Sequence, residues 1–251
     1  MRLRMILSFL ATACFARAQG LEAPGFGWYP DASGALRPLR GLAGNLTPGP
    51  AREAGVISAA SSATWALAKT SGELIVLDRA GAEAGRLAAP AGVALFAFSE
   101  IGDPAAVVFA ETGLVLLWSG GRFEAADWTI GREEEVLAVA GAASFLVRRG
   151  DQVWRTDRAV QDGRLLLEVA LPGVRAPLLA RPDGSVLYAG DAALVLRAPR
   201  GAEQRIELPG AVTGLSELAG GWVRVLLPDR QVAVSFAGVA PRVFELPGGG
   251  R

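Results

Sequence analysis

Carboxylates are the conventional acid–base groups that this sequence offers, because the chain has no histidine and its one cysteine is Cys14. The lack of histidine removes the commonest general base, the serine–histidine and cysteine–histidine pairs, and the usual ligands of zinc and copper. The sequence contains no nucleophile elbow, phosphate loop, dinucleotide loop or calcium-binding loop. It therefore predicts no catalytic residue, no cofactor and no metal site.

Several aspartates lie beside glycine or proline in short polar segments between apolar runs. Two carboxylates that face each other across a cleft could hydrolyse a glycosidic bond. In a loop, however, the ordinary role of an aspartate is to cap the turn with its side chain, and that role is predicted here. The residues concerned are Asp151, Asp183, Asp191 and Asp229.

Aromatic and arginine side chains are the candidate binding groups. Trp28 and Tyr29 form the aromatic pair that regular packing explains least, so they are candidate ligand contacts. Between positions 148 and 181 the sequence has seven arginines and four acidic residues, so this stretch could form an anion-binding patch. Its candidate residues are Arg148, Arg149 and Arg181. The competing interpretation is that these arginines are scattered in solvent, because alternate residues of a strand point to opposite faces.

These residues are positioned by a four-strand pattern that returns about every 40 residues, the period of propeller blades. The pattern is clearest in the third strand of each unit, where an apolar run follows a turn pair such as Gly150-Asp151. The sequence therefore predicts an all-β fold, a β-propeller of five complete four-stranded blades. The third strands are predicted at 74–78, 114–118, 152–156, 193–197 and 231–235, and the blades at about 55–90, 91–129, 130–173, 174–210 and 211–248.

One further hairpin precedes the repeats at residues 26–41, with its turn at the Asp-Ala-Ser-Gly segment 31–34. Its end resembles the ends of the predicted fourth strands, so we interpret it as the two outer strands of another unit. Two arrangements follow: a thin sixth blade, or a five-bladed ring with a docked hairpin. In both, burial of Trp28, Leu36 and Leu39 at the seam of the ring is expected to stabilise the fold.

The N-terminus has the pattern of an export signal, with Arg2 and Arg4 before an apolar run that ends at Ala16. This run is shorter than a membrane span. Residues 1–18 are therefore predicted to be a cleaved signal peptide, and residues 19–251 a single β-propeller domain without a transmembrane helix. The predicted location is periplasmic or secreted, and a lipoprotein anchored at Cys14 is the alternative.

The repeats of residues 26–248 resemble the secreted bacterial β-propeller proteins of the six-bladed, NHL-like kind. The resemblance rests on the period of the repeats, because the Gly-His and Trp-Asp pairs of WD40 units and the aspartate box of sialidase propellers are absent. It transfers no catalytic or metal-binding residue to this chain.

Together, these features favour an exported, non-catalytic and monomeric module that binds an envelope protein, an extracellular protein or a small ligand. A nucleic-acid partner is not expected, because 25 basic residues are balanced by 25 acidic ones. Two alternatives are a propeller enzyme of the lactonase or lyase type and a structural component of the envelope. The enzyme is disfavoured because propeller hydrolases use carboxylate and amide metal ligands, and Asn45 is the one asparagine.

Overall fold

The computed structural model describes most of the 251-residue chain from Gly25 onward. The predictions of a signal peptide, of a mature chain that starts at Gln19 and of lipidation at Cys14 concern residues outside this part. Within it, no helix is long and apolar enough to cross a membrane. The described residues are 25–42, 44–99, 105–126, 135–140, 144–157, 160–161, 164–165, 169–238 and 240–247.

The described residues form a six-bladed β-propeller, and a single three-residue 3-10 turn is the helical element among them. Strands within a propeller are apolar on both sides because each blade is covered by a neighbour on each face. The strand Glu73–Asp78 shows this, since its four central residues are all buried. The predicted all-β propeller class is confirmed.

The first sheet, which we call the N-terminal blade, has three strands in chain order, and the other five blades have four. The predicted hairpin is present, but its interpretation as two outer strands is wrong, because a third strand follows it on the outside. Of the two arrangements left open by the sequence, the structure has the thin sixth blade. Its strands are β1 (Gly25–Pro30), β2 (Leu36–Leu42) and β3 (Asn45–Pro48).

The first two full blades follow directly. Blade 1 comprises β4 (Ser58–Ser61), β5 (Trp65–Lys69), β6 (Glu73–Asp78) and β7 (Glu83–Ala88). Blade 2 comprises β8 (Ala94–Phe98), β9 (Ala105–Phe109), β10 (Leu114–Ser119) and β11 (Arg122–Ala125).

Blade 3 departs from the prediction in its fourth strand, which was expected at 164–170. The observed outer strand has two residues, and a separate two-stranded hairpin precedes it. In this hairpin Gln161 pairs with Arg164, and the sequence between them is Asp-Gly, which is typical of two-residue hairpin connections. The strands are β12 (Glu135–Ala140), β13 (Ser144–Arg149), β14 (Gln152–Asp157) and β17 (Val169–Ala170), and the hairpin is β15 (Val160–Gln161) with β16 (Arg164–Leu165).

Blades 4 and 5 complete the ring. Blade 4 comprises β18 (Leu178–Ala180), β19 (Val186–Gly190), β20 (Ala193–Arg197) and β21 (Glu203–Glu207). Blade 5 comprises β22 (Gly214–Glu217), β23 (Trp222–Leu226), β24 (Gln231–Ser235) and β25 (Arg242–Glu245), with the 3-10 turn Ala219–Gly221 between its first two strands.

The first strand of each full blade lies innermost, and each of these inner strands contacts the next around the ring. The inner ring closes directly from β22 to β4. The N-terminal blade therefore supplies no inner strand. It is wedged between blades 5 and 1, with β1 against β4 on one side and against the 3-10 turn on the other.

Two faces of the ring can be told apart by their connections. Because successive strands of a blade are antiparallel, connections alternate between the two ends of the strands. The face with the turns between first and second strands is called the upper face here. The turns between second and third strands and the links between blades lie on the opposite, lower face.

Two apolar clusters hold the N-terminal blade in place. Trp28 and Leu36 pack against blade 1, whereas Tyr29 and Leu39 pack against blade 5. Trp28 and Tyr29 diverge because successive side chains of a strand point to opposite faces. The predicted burial at the seam is confirmed, because Trp28 is 5% exposed and both leucines are 0% exposed.

Candidate functional site

A central channel lies between the inner strands of the five full blades and holds a cavity of about 210 Å³. Each inner strand is paired with one neighbour within its blade, so N–H and C=O groups of its other edge face the channel. Most side chains that line the cavity are apolar. Apolar walls with a few polar groups are the usual composition of a small-molecule site.

Glu217 is the one acidic side chain among the described residues that line this cavity. It is the last residue of β22, so the innermost strand of blade 5 fixes its position. The carboxyl group makes no hydrogen bond or ion pair with another residue of the described chain. Burial raises the pKa of Glu217 to about 7, while the charge of Arg181 opposes the rise and that of Asp183 adds to it. Glu217 is therefore a channel carboxyl group with unused hydrogen-bonding capacity.

Arg224 is the cation of the lining and is 6% exposed. Its Nε donates to Gln231 Oε1 at 2.8 Å, and its Nη2 donates to the Pro30 carbonyl at 2.7 Å. The guanidinium also lies 5.6 Å from the centre of the Tyr29 ring. Burial lowers the pKa of Arg224 to about 10, so the side chain stays charged at neutral pH. Because these contacts fix Arg224 between blade 5 and the N-terminal blade, its main role is structural.

The channel differs in polarity along its length. Ile57 and Val93 line the cavity just before the inner strands β4 and β8, on the lower side, and are 46% and 54% exposed. Glu217 lies at the upper end, close enough to Arg181 and Asp183 for their charges to act on its pKa. Among the described residues that line the channel, the apolar Ile57 and Val93 therefore lie on the lower side and the carboxyl group of Glu217 on the upper side.

The aromatic pair that the sequence suggested as ligand contacts belongs to the seams. The backbone N–H of Trp28 donates to Ser61 Oγ at 2.8 Å, and the Tyr29 hydroxyl donates to the Pro247 carbonyl at 3.2 Å. Tyr29 is 1% exposed, so its ring is enclosed by protein and offers no surface for ligand stacking. Trp28 is buried against blade 1, and it also borders a second cleft at the upper face.

The three arginines proposed as an anion patch do not come together. Arg148 and Arg149 end β13 on the lower face, where Arg148 forms an ion pair with Glu135. Arg181 follows β18 on the upper face, and its Nη2 donates to the Gly221 carbonyl at 3.1 Å. Residues at opposite ends of the strands lie on opposite faces of the ring, so these three arginines form no common patch, which agrees with the alternative that they are scattered in solvent.

Of the four loop aspartates, Asp183 caps its turn as predicted, and the others have other surroundings. Asp183 accepts hydrogen bonds from the Ser185 N–H at 2.8 Å and from the Ser185 hydroxyl at 2.6 Å. Asp191 and Asp229 pair with the neighbouring Arg175 and Arg230 at the surface. Asp151 borders a polar groove between blades 3 and 4. Among the described residues there is no group of three or more histidine, cysteine or acidic side chains that could hold a metal.

Glu217 and Arg224 were not singled out from the sequence, although both carry a recognisable signal. The repeat pattern predicts first strands at 56–61, 93–99, 136–140, 177–181 and 212–218, and Glu217 is the one acidic residue in them. Arg224 is the one charge in the middle of a predicted second strand, WVRVLL. A charge inside a strand that must be covered on both faces needs a specific environment, so these two positions stand out once the blades are aligned.

Comparisons with known proteins agree with the fold. No protein-family model and no curated protein matches the sequence. The Pan2 WD40 domain from Neurospora crassa is similar with a TM-score of 0.51 and 9% identity, over 89% of this chain and 79% of its own. A Bacteroides caccae protein of unknown function has a TM-score of 0.50 and 15% identity, over 90% and 98%. Virginiamycin B lyase from Staphylococcus aureus has a TM-score of 0.46 and 9% identity, over 90% and 85%. At such identities the likeness concerns the fold alone.

Proposed function

We propose that this chain is an exported, non-catalytic binding module that takes a small amphipathic cation into its central channel. The observation that carries the proposal is Glu217, a carboxyl group that lines the channel and has no bonding partner in the described chain. The export part of the proposal rests on the signal-like pattern of residues 1–18.

The chemistry of the channel favours a ligand with one positive or hydrogen-bond-donating end. An ionised carboxylate in an apolar surrounding is stabilised by a cation or by donors directed at it. The lower part of the channel, with Ile57 and Val93, suits a short hydrocarbon body. A cavity of about 210 Å³ limits the ligand to a small molecule.

The test is a calorimetric titration with butylamine, and with butyrate and butanol as probes of the same size and different charge. Saturable binding of butylamine is expected, and its affinity should increase as the pH rises through about 7, because Glu217 ionises in that range. Glu217→Gln should abolish the binding, whereas Glu124→Gln, at an exposed position of β11, should preserve it.

Two results would overturn this function. One is the absence of saturable butylamine binding between pH 6 and about 9, a range that covers the titration of a carboxyl group with a raised pKa. The other is equal binding by the wild type and by Glu217→Gln, because the ligand would then bind elsewhere. Preferential binding of butyrate would contradict the proposal that the ligand is a cation, although the ligand could still bind in the channel.

A propeller enzyme of the lyase or lactonase type is the second candidate, and the pKa of Glu217 favours it. A carboxyl group whose pKa burial raises to about 7 can both accept and donate a proton at neutral pH. The discriminating measurement is acid release from a panel of small lactones, followed in a pH-stat. Turnover that disappears in Glu217→Gln would establish the enzyme, and no turnover above the uncatalysed rate would exclude lactone hydrolysis.

A further inference from the structure

A second cleft, which we call the seam cleft, opens at the upper face where three units of the ring meet. It has a volume of about 230 Å³. The N-terminal blade contributes Arg40 at the end of β2, and blade 1 contributes Arg79 from the turn after β6. Blade 5 contributes the backbone of the 3-10 turn at Ala219 and Gly220.

The charges that the described residues bring to the seam cleft are of one sign. Arg40 and Arg79 are the charged residues among the described ones that line it, and none of these lining residues is acidic. Neither arginine forms an ion pair or a side-chain hydrogen bond with another residue in the described part of the chain. By contrast, Arg37 pairs with Asp31, and Arg86 pairs with Glu53, Glu73 and Glu83. The cleft is therefore a local site of uncompensated positive charge.

We propose that the seam cleft binds an organic anion, with a carboxylate or phosphate group held by Arg40 and Arg79. Guanidinium groups present their N–H donors in a planar fork that matches the paired oxygens of these anions. The two side chains come from different blades, so one anion can be approached from two directions. This site lies apart from the channel and does not depend on the function proposed for Glu217.

The walls of the seam cleft indicate what the rest of the ligand is. The partly exposed Trp65 borders it together with the edge of Trp28, which is 5% exposed, so the ring of Trp65 is the main aromatic surface next to the two arginines. Planar ligands stack on such side chains. An anion with an aromatic body therefore fits the cleft better than a bare inorganic ion does.

Binding in the seam cleft has a structural consequence that can be measured. A ligand held by Arg40 and Arg79 joins the N-terminal blade to blade 1, next to the turn of blade 5. A ligand that binds the folded state and not the unfolded state raises the unfolding midpoint with its concentration. The expected effect is a saturable rise of the midpoint.

The experiment combines calorimetry with thermal unfolding at constant ionic strength. The probes are benzoate and phenyl phosphate, which distinguish a carboxylate from a phosphate head group. Inorganic phosphate, which has the charge without the aromatic ring, and benzyl alcohol, which has the ring without the charge, are the controls. Saturable binding of at least one aromatic anion, weaker binding of inorganic phosphate and no binding of benzyl alcohol are expected.

Three variants and a matched control make the assignment specific. Arg40→Gln and Arg79→Gln should each weaken the binding by about tenfold or more, because a charge-assisted hydrogen bond is lost, and the double variant should abolish it. Arg122→Gln, at an exposed position of β11, should bind like the wild type. Both cleft arginines are exposed, so the midpoints without anion should match that of the wild type and show that the variants fold.

Two results would overturn the proposal. One is the absence of saturable binding of both aromatic anions. The other is unchanged binding in the double variant, which would place the anion elsewhere on the protein. Glu217→Gln serves as an independent check, because it should leave anion binding at the seam cleft unaltered even if it removes amine binding in the channel.

Discussion

Arg224 donates a hydrogen bond of 2.7 Å to the carbonyl of Pro30, a residue 194 positions away in the chain. This contact joins blade 5 to the N-terminal blade, at the inner side of the ring where the N-terminal blade has no described inner strand. Propellers commonly close by letting one terminus complete the blade begun by the other. Here each blade is formed by one continuous segment of the described chain, so contacts between whole blades, such as this one, close the ring. Tyr29, Leu39 and Trp222 form the apolar part of this closing seam.

Replacing Arg224 should open the closing seam. In Arg224→Met the buried Pro30 carbonyl and the Gln231 side chain lose their donor, so the free energy of unfolding should fall by about 1 to 3 kcal/mol. Urea unfolding measures the change. Arg122→Met is the control, because the Arg122 side chain is 77% exposed and its surface ion pair contributes little. Equal midpoints for the two variants would show that Arg224 does not hold the seam.

Two glycines of β1 offer a matched test of how tightly the N-terminal blade docks. A Cβ atom at Gly27 would lie 2.7 Å from the Cβ of Ser61 in blade 1, and the φ of Gly27 is +103°. A Cβ atom at Gly25 would meet nothing within 4 Å. Gly27→Ala should therefore lower the free energy of unfolding by about 1 to 3 kcal/mol, and Gly25→Ala should leave it almost unchanged. Similar unfolding midpoints for both variants would contradict this docking.

Removing the whole N-terminal blade should have a larger effect. Without residues 25–48, the apolar surfaces of blades 1 and 5 that now cover Trp28, Leu36 and Leu39 would face water. Each large apolar side chain buried at such a seam contributes about 1.5 to 3 kcal/mol. We expect a much lower unfolding midpoint and self-association in size-exclusion chromatography. A monomeric deletion variant with an unchanged midpoint would mean that the inner ring of five strands suffices.

The stability of the chain should depend on the ionisation of Glu217. Burial raises the pKa of Glu217 from 4.5 to about 7, so between these values the folded chain keeps a proton that the unfolded chain has lost. The stabilisation that this proton gives is complete below pH 4.5 and is lost as the pH rises to about 7. Glu217→Gln, which stays neutral, should therefore be as stable as the wild type near pH 4.5.

At pH 8 the same variant should be more stable than the wild type, by up to roughly 3 kcal/mol. Urea unfolding of both proteins at the two pH values gives the difference directly, because the contributions of other groups cancel. Glu124→Gln, at an exposed position, should show no such gain. If the difference in the free energy of unfolding between Glu217→Gln and the wild type did not increase with pH, ionisation of this carboxyl group would not destabilise the folded state.

The third strands were predictable because each is an apolar run bounded by turn residues. The strand β20, for example, covers Ala193–Arg197, as the sequence indicated after Gly190-Asp191. Apolar residues are needed along the whole run because a neighbouring blade covers each face of the strand. The strand β3 was missed for the opposite reason. Its sequence, NLTP, is polar and mostly exposed at the outer edge, so no alternation of apolar residues marks it.

The channel could not be predicted because its groups come from separate blades. Glu217 is affected by Arg181 and Asp183 of the preceding blade, and no local pattern reveals that proximity. The seam cleft likewise depends on the approach of Arg40 and Arg79 from two sheets. Sequence periodicity defines each blade, whereas the sites depend on the closure of the ring, which involves contacts between residues far apart in the chain.

The way in which this ring closes also affects how its number of blades can change during evolution. Because each described sheet is built from one continuous stretch of the chain, a duplicated or deleted blade-length segment would add or remove a complete unit without splitting any of these sheets. The remaining requirement is that the N-terminal blade fit its new neighbour through the surface of Tyr29 and Leu39. Mutational adaptation of a few apolar residues could meet that requirement, so this architecture is suited to evolve by gain and loss of entire blades.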